Sequence, residues 1–528
     1  MYMLRLHRYF EGSIVTGLVA LFCSFPLTAQ AGSFALNEQS VSGLGVAFAG
    51  GAAQASDAST IFFNPAGIAL LNQGEFLLGT EFVIPQANFV NDGSRYKLPN
   101  TPFNNLPISG GNGGDGGVFH VLPNIYLSQP VFRSPQYGDL SVGIGLSVPF
   151  GLETDYSPGW VGRYMALRTK LTTFDIQPTI AYRLFNRLSF GASLDIQYAS
   201  ARLTEAIDFG LAAGPFLGRF ETALPGILAA RGVPAAAIPA VVNATRQAYN
   251  NAGFVPGGRD GVSEVSGQDW KAGFTLGAIF EYCKGDEHGF FQDGRVGLSY
   301  RSGITHDIHG PVTFRGVPSL TAPGAPVQFP QPDLFQSTFT DQNTAAELNL
   351  PEIYHFSAYQ RFARQFALMG DIAWQRWSRL QNVPITFHNP SIPTEVLNLQ
   401  YEDTLRYAVG FEWYATKDLT FRLGFAYDET PIRSADTQTP RIPDSNKYLL
   451  STGLRWSPTR FFDIDVGYGH VFIQDPIVNF SDPRGHNLRG RFDTSANVVG
   501  AGVTFRWGGP REIVPSEPQG KEVASYRK

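Results

Sequence analysis

The feature that most constrains the fold is an alternation of large apolar residues with small or charged ones. In residues 405–413 the odd positions are large and apolar and the even positions are charged or small, and 419–427 and 188–198 follow the same pattern. A period of two indicates strands with one face against an apolar phase and the other against a polar, crowded interior. After residue 31 no apolar run reaches the roughly 18 residues that a membrane-spanning helix needs. A closed β-barrel is the other structure whose backbone hydrogen bonds can all be satisfied within lipid.

Fourteen such segments follow one another, and their connections alternate in length. Short connections follow the even-numbered segments, and long ones, of which 204–268 and 310–346 are the largest, follow the odd-numbered segments. Bacterial outer-membrane barrels have an even number of strands, short periplasmic turns and long extracellular loops. The pattern predicts an all-β fold, a 14-stranded antiparallel transmembrane barrel over residues 73–507, in the outer membrane of a Gram-negative cell with both termini periplasmic. The segments lie near 75–90, 118–131, 139–149, 171–184, 187–203, 269–284, 293–309, 347–363, 366–380, 401–415, 418–428, 445–456, 461–471 and 497–507.

A soluble β-sandwich or propeller is the alternative for a chain with many alternating strands. In those folds the aromatic residues point into a core. Here tryptophan and tyrosine fall near the segment ends, as they do in the interfacial girdles of membrane barrels. The residues concerned are Tyr126, Trp374, Trp377, Trp413, Tyr414, Trp456 and Trp507.

Both ends of the chain are expected to lie outside the barrel. Residues 1–31 have the features of a secretory signal peptide, with Arg5 and Arg8 before an apolar stretch and small residues at the cleavage site. Residues 508–528 form a polar tail that is expected to be disordered. After cleavage Cys283 is the remaining cysteine, so no disulfide can form within the chain. The mild net charge of −5 argues against a nucleic acid as partner.

Residues 32–72, between the signal peptide and the first strand, are rich in small residues, which suits close packing of backbones inside a lumen. Several motifs in this segment and beyond it resemble those of the FadL family of outer-membrane transporters for long-chain fatty acids and aromatic hydrocarbons. In the segment they are Phe34, Leu36-Asn37-Glu38, residues 42–45 and Asn64-Pro65-Ala66, and further along they are 150–156, 269–274, 348–352 and 421–428. The resemblance covers nearly all of the mature chain.

The resemblance implies that residues 32–72 form a hatch that plugs the barrel. A hydrophobic ligand would be captured by outer loops, pass to a pocket, and leave sideways into the bilayer after the hatch shifts, with no energy source. The ligand would be a long-chain fatty acid or, as the alternative, an uncharged aromatic or aliphatic hydrocarbon. The other expected partners are outer-membrane lipid and the barrel-assembly machinery, which would recognise the last strand. The protein is expected to be a monomer without a cofactor or metal.

Two candidate sites follow along the path. Val148, Pro149 and Phe150 end the third segment, and proline, which donates no backbone hydrogen bond, marks an edge or a bulge. In the family this strand bends inward and opens a lateral gap, so the gap is predicted beside these residues, with an ordinary strand end as the alternative. The two largest loops carry apolar residues that either form a ligand groove or pack on one another: Phe209, Phe216, Leu217, Phe220, Phe314, Phe329 and Phe335.

A carboxylate ligand would need a cation in the lumen. The position that aligns with such a cation in the family holds Glu205, and Arg202 is the nearby candidate to replace it. A glutamate in the pocket would repel a carboxylate, so an uncharged hydrocarbon or ester stays open as the alternative ligand.

The sequence argues against two other classes of outer-membrane barrel. The chain has no G-x-S-x-G motif and its histidines are scattered, which argues against a lipid hydrolase. The hatch segment and the apolar loops argue against a general porin, which would be an open, water-filled hole.

Overall fold

A computed structural model describes residues 33–134, 136–285 and 289–508, together with the backbone of 511–512. The predicted signal peptide and nearly all of the predicted tail lie outside the described residues. Residues 511–512 add a short parallel strand beside Phe132 and Arg133, so the start of the tail lies against the barrel instead of being wholly disordered.

Fourteen strands form the wall of the barrel. Each pairs antiparallel with the next strand of the wall, and the last closes the circle on the first through a register that runs from Gly74–Trp507 to Asn91–Gly490. The predicted fourteen-stranded antiparallel barrel is therefore confirmed. The strands are β1 Gly74–Asn91, β2 His120–Ser134, β3 Gly138–Ser147, β4 Arg168–Leu184, β5 Leu188–Asp208, β6 Asp260–Cys283, β7 Phe291–Arg301, β8 Ile353–Phe362, β9 Phe366–Gln375, β10 Thr404–Tyr414, β11 Leu419–Asp428, β12 Lys447–Thr459, β13 Phe462–Ile473 and β14 His486–Trp507.

The alternation in the sequence matches the two faces of the wall. On β11, Leu423 is 55% exposed, whereas its neighbour Arg422 is buried towards the lumen. The three-residue turns 185–187 and 363–365 at the short-loop end each contain two residues at positive φ, Phe185 with Asn186 and Ala363 with Arg364, as tight hairpins require.

The wall extends further at the long-loop end than the sequence pattern predicted. The strands β5, β6 and β14 are longer there, and two predicted strands are each split in two. The segment predicted at 293–309 ends at Arg301 and resumes as Thr305–Arg315, and that predicted at 347–363 is Gln342–Asn349 followed by β8. Pro351 lies in the second break, where a proline cannot donate to the ladder.

Short strands and helices complete the loops and the lumen. The strands are Arg95–Tyr96, Gly151–Asp155, Thr305–Arg315, Gln342–Asn349, Asn382–Phe387, Glu395–Asn398 and Ile477–Ser481. The helices are α1 Val41–Leu44, α2 Thr60–Phe63, α3 Phe209–Ala212, α4 Gly214–Ala230, α5 Ile238–Asn251 and α6 Leu334–Thr338, with 3-10 turns at Pro65–Leu70 and Trp377–Arg379. Among the described residues, none of these helices has both the length and the apolar character to cross a bilayer.

Candidate functional site

Residues 40–72, here called the plug, fill the lumen. Helix α1 contacts β1, β12, β13 and β14, and the 3-10 turn at Pro65–Leu70 contacts β2 to β6, so the segment touches the wall on opposite sides. Wall glycines make room for it. A Cβ atom at Gly297 would lie 1.8 Å from the Ala52 carbonyl oxygen, and one at Gly424 would lie 2.1 Å from the carbonyl carbon of Val46. Many of the small inward-facing residues in the strand pattern are therefore glycine seats, that is, wall positions against which the backbone of the plug packs directly.

The Asn64-Pro65-Ala66 motif pins the plug to the wall. The Asn64 side-chain amide donates to the carbonyl oxygens of Ala52 (2.7 Å), Ala278 (3.2 Å) and Leu298 (3.2 Å), and its Oδ1 accepts from the Ala66 N–H. Asn64 is fully buried. The motif thus joins the plug to β6 and β7.

A buried ion pair anchors the plug on the opposite side of the lumen. Asp57 Oδ2 lies 2.7 Å from Arg455 Nη2 on β12, and the hydroxyl groups of Ser42 and Ser59 donate to the same carboxylate. Arg455 in turn contacts Asp465 at 2.9 Å. Removing one partner of such a pair typically costs about 3–5 kcal/mol, because the other charge is left buried.

Residues 33–39, here called the arm, are held differently. The Leu36 N–H donates to the Pro149 carbonyl (2.9 Å), and the Gly151 N–H donates to the Phe34 carbonyl (3.1 Å). The Phe34 ring packs edge-on against Trp377 at 4.8 Å. Glu38 is half-buried, within electrostatic range of Arg406 and Lys447.

The arm covers a break in the wall. Among the described residues, the β2–β3 ladder ends at the Ile125–Leu146 pair, and the chain beyond β3 next meets the segment before β2 at the Gly117–Thr154 bridge. Between the Ser147–Asp175 and Gly151–Thr172 pairs, residues 148–150 oppose two residues of β4, which is a β-bulge. Gln39 fills the break, with its side chain bonded to both the N–H and the carbonyl of Val148. The structure places Val148, Pro149 and Phe150 at this break.

An apolar cavity of about 970 Å³, including the part open to solvent, lies towards the long-loop end beside Phe34. Its walls are mostly aliphatic: Leu152, Leu171, Ala201, Leu203, Val265, Ile308, Ala346, Leu348, Leu380, Val383, Ile385, Leu397, Leu399 and Ile442.

A second cavity of about 400 Å³ lies on the other side of the arm. Ala35, Leu36, Asn37 and Pro149 line it together with polar wall residues, including Arg301, His355 and Gln375. Phe34 lines the first cavity and the next three residues line the second. The arm and Pro149 therefore separate an apolar chamber from a more polar one.

Two charged side chains, Lys170 and Arg441, line the apolar cavity. Arg441, which lines it, lies 2.6 Å from Glu205, and Glu205 also contacts Arg484 at 2.8 Å. Arg484 reaches Glu395 at 3.1 Å. The side chains of Arg441 and Glu205 are buried. These four residues, Arg441, Glu205, Arg484 and Glu395, are called the charge chain below.

Arg202, the cation expected to meet a carboxylate, is not among the residues that line the cavity. Its side chain is half-exposed and lies 3.7 Å from Glu264. Strand β5 continues to Asp208 with the alternation intact, so Arg202 shares the outward face with Leu194 and Tyr198, while Ala201 and Leu203 face the cavity. The structure therefore places Arg202 outside the cavity, and its contact with a ligand carboxylate stays a prediction.

The predicted groove residues come together, but as a closed cluster. Phe209, Leu217, Phe220, Phe329 and Phe335 are buried against one another beneath α4 and α5. At its edge Phe216 contacts Phe335 and Phe314 contacts Phe339. None of these seven residues lines the apolar cavity. Among the described residues they thus pack on one another, which was the alternative interpretation.

The cavity lining is what sequence reasoning missed. Much of it comes from the short strands between β7 and β10, where Val383 with Ile385 and Leu397 with Leu399 alternate as wall strands do. That short alternation inside predicted loops was the available signal. No sequence pattern pointed to Arg441, because this residue lies in an irregular loop.

A polar cluster ties three loops together at the long-loop end. The His486 ring is buried between two carboxylates, with Nδ1 2.6 Å from Asp482 and Nε2 3.5 Å from Asp208, and it stacks on Tyr164 at 4.3 Å. Burial alone would lower the pKa of His486, but the hydrogen bonds and charges of Asp208 and Asp482 outweigh it and raise the pKa. The imidazolium is the form that presents an N–H to both carboxylates.

The model of the family described as outer membrane protein transport protein (OMPP1/FadL/TodX) matches residues 23–507. The chain is 28% identical over 458 residues to a long-chain fatty acid transport protein of Escherichia coli O6:H1, covering 87% of this chain and 90% of that protein. It is 25% identical to outer membrane protein P1 of Haemophilus influenzae, covering 89% and 92%.

Solved structures share the fold. A Pseudomonas aeruginosa FadL homologue superposes with a TM-score of 0.69 at 22% identity, covering 90% of this chain and 99% of that one. The Ralstonia pickettii toluene transporter TbuX gives a TM-score of 0.56 at 18% identity, covering 89% and 100%. At these identities the likeness shows the barrel fold alone.

Proposed function

This chain belongs to the OMPP1/FadL/TodX family of outer membrane transport proteins, and we propose that it carries long hydrophobic molecules passively through the apolar cavity and out sideways at Val148–Phe150. Its relatives are named as transport proteins and channels, not as enzymes. The observation that carries the proposal is the aliphatic cavity beside Phe34, separated by the arm from a break in the wall.

Entry is driven by burial of apolar surface. Each methylene that leaves water for the aliphatic lining gains about 0.8 kcal/mol, so a long chain binds without energy input. A ligand that continues into lipid keeps most of that gain and never enters periplasmic water. A route through the wall at membrane depth therefore costs less than one through the plug.

Release requires the arm to leave the break. The contacts that hold it are a few hydrogen bonds and the Phe34 ring, whereas the plug is fixed by Asp57 and Asn64. Withdrawal of residues 33–39 would join the two cavities and uncover the break. The rest of the hatch need not move.

Two ligand classes fit the cavity. Long-chain fatty acids are the first candidate, since relatives that cover most of the chain are named for their transport. Uncharged hydrocarbons are the second, because Glu205 already occupies Arg441, the cation where a carboxylate would bind. Toluene transporters of the same fold are in keeping with this second class.

The test is uptake by cells that lack their own outer-membrane path for hydrophobic molecules. Leu348→Trp fills the apolar cavity and should cut uptake of both a labelled long-chain fatty acid and a labelled alkane by about tenfold. Leu298→Trp is the matched control on the outward face, where Leu298 is 59% exposed, and should leave uptake unchanged. Equal uptake by the two variants would contradict the proposed route.

A porin is distinguished by conductance. A barrel filled by its plug should barely conduct ions in planar bilayers, whereas a water-filled porin conducts steadily. Steady, open-channel conductance of the wild-type protein would overturn the proposal.

A further inference from the structure

We infer that Glu205 makes this transporter selective for ligands whose head group carries no charge, because it already neutralises the cation that borders the apolar cavity. The inference rests on the proposed function, since it takes the cavity to hold the transported molecule. It narrows the two ligand classes to hydrocarbons and to long chains that end in a hydroxyl or ester group.

The charge chain is balanced. Arg441 Nη2 donates to Glu205 Oε2 at 2.6 Å, Arg484 Nη1 donates to Glu205 Oε1 at 2.8 Å, and Arg484 Nη2 lies 3.1 Å from Glu395. Two positive and two negative side chains thus alternate, and their charges sum to zero. Both oxygens of Glu205 are used, one by each arginine.

The other cation at the cavity boundary is Lys170, and it is already paired. Its ammonium group lies 2.8 Å from Glu153, and its side chain is 43% exposed. Thr169 and Leu171 on either side of it are buried, so Lys170 lies on the outward face of β4. Among the described residues that line the cavity, Arg441 is therefore the cation available to a head group inside the lumen.

A carboxylate that approached Arg441 would have to share it with Glu205. Two negative groups would then lie within a few ångströms of each other in an aliphatic surrounding, where charges are weakly screened. An uncharged ligand adds no such repulsion. A hydroxyl or ester oxygen can still accept a hydrogen bond from Arg441 Nη1, whose contact with Thr169 Oγ1 is long at 3.5 Å.

The pair also has a structural role that explains why both charges are present. The backbone next to Arg441 is held by Tyr156, whose hydroxyl donates to the Pro440 carbonyl at 2.9 Å, and by Thr154. The Arg441–Glu205 contact therefore ties the loop between β11 and β12 to β5. Glu205 thus fixes this loop and neutralises Arg441 at the same time.

The experiment compares a fluorescent long-chain fatty acid with its own methyl ester, as ligands of the purified full-length protein at pH 9, where the acid is ionised. Wild-type protein should bind the ester at least about tenfold more tightly than the acid. Glu205→Gln should tighten binding of the acid by about tenfold or more and leave the ester unchanged, because Arg441 is then free to pair with the ligand.

Glu395→Gln is the matched control. It makes the same change of acid to amide at the far end of the charge chain, without touching Arg441, and should move the ratio of the two affinities far less. Because Glu205→Gln leaves two arginines without their partner, the double variant Glu205→Gln with Arg484→Gln provides a second form in which Arg441 alone is released. It should tighten acid binding as the single variant does.

The outcomes separate the two proposals. Tighter binding of the acid than of the ester by wild-type protein, or weaker acid binding in both Glu205 variants, would overturn the selectivity and leave the transport route intact. Failure of the wild-type protein to bind either probe would overturn the selectivity and the proposed function together.

Discussion

The arm and the plug belong to one continuous segment, yet they are attached to the barrel in opposite ways. The plug is buried, has a charged anchor at Asp57, and sits on glycines that leave no room for a side chain. The arm is half-buried over Ala35–Glu38 and pairs by backbone hydrogen bonds with a strand end that has left its ladder. If the arm alone withdraws, as we propose, the plug would keep the barrel closed to ions.

The largest effect is expected from a disulfide that fixes the arm to the wall. Ala35 and Phe150 form an antiparallel bridge flanked by the two arm hydrogen bonds, and such non-hydrogen-bonded pairs have the Cα spacing of about 4.5 Å that a disulfide accepts. In a Cys283→Ser background, Ala35→Cys with Phe150→Cys should lose nearly all uptake when oxidised and regain it with reductant. Each single cysteine variant is a control. Full uptake by the oxidised protein would show that the arm does not move.

Loosening the plug should have a different effect. Asp57→Asn keeps the shape of the side chain but leaves Arg455 without this partner, which should destabilise the plug by about 3 kcal/mol. Ion conductance in planar bilayers and amide hydrogen exchange over 41–63 should both rise. Glu281→Gln is the matched control: it removes a buried wall carboxylate that lies 2.5 Å from Arg183, and it should leave plug exchange unchanged. Equal exchange in the two variants would refute the anchor.

The glycine seats make a smaller, steric prediction. Gly297→Ala places a Cβ atom 1.8 Å from the Ala52 carbonyl oxygen, so the plug must shift, at a cost of about 1–3 kcal/mol. Gly502→Ala is the control, since its nearest neighbours are 3.4 Å away. Hydrogen exchange over 50–54 should increase only in the first variant, and no increase there would contradict the close fit.

The smallest expected effect lies in the loops. Since the folded-state pKa of His486 is raised, the stability it contributes is present below its ordinary pKa of about 6.5 and is lost as pH rises through the folded value. Exchange protection of residues 482–486 should therefore fall as the pH rises through the raised pKa of His486, by about 1 kcal/mol. Asp208→Asn should move the midpoint to lower pH, His486→Gln should abolish the pH dependence, and the exposed His309→Gln should not alter it. A flat profile in wild-type protein would contradict the charged histidine.

The parts of the molecule that could be predicted are those selected by a uniform surrounding. Lipid selects large apolar residues all along the outward face, so the strand number follows from alternation. Close packing of backbones inside the lumen selects small residues, and this composition makes residues 32–72 recognisable in the sequence. The break at Pro149 was predictable because proline cannot donate a backbone hydrogen bond to the neighbouring strand.

The cavity could not be predicted in the same way. Its lining comes from short strands separated by long stretches of chain, such as those carrying Val383 and Leu397, and no period in the sequence joins them. Whether Phe209 and Phe329 line a groove or pack together depends on tertiary contacts alone. The outward placement of Arg202 could have been predicted, because the alternation from Leu194 onward already assigns this residue to the outward face.

In the proposed route the ligand leaves sideways at the break and not through the plug. A photoreactive residue in place of Val148 at the break, or of Gln54 on the plug, can be irradiated during uptake of a labelled long-chain ligand. Mass spectrometry should then find the ligand attached at position 148 and absent from position 54. Attachment at position 54 with none at 148 would contradict the account.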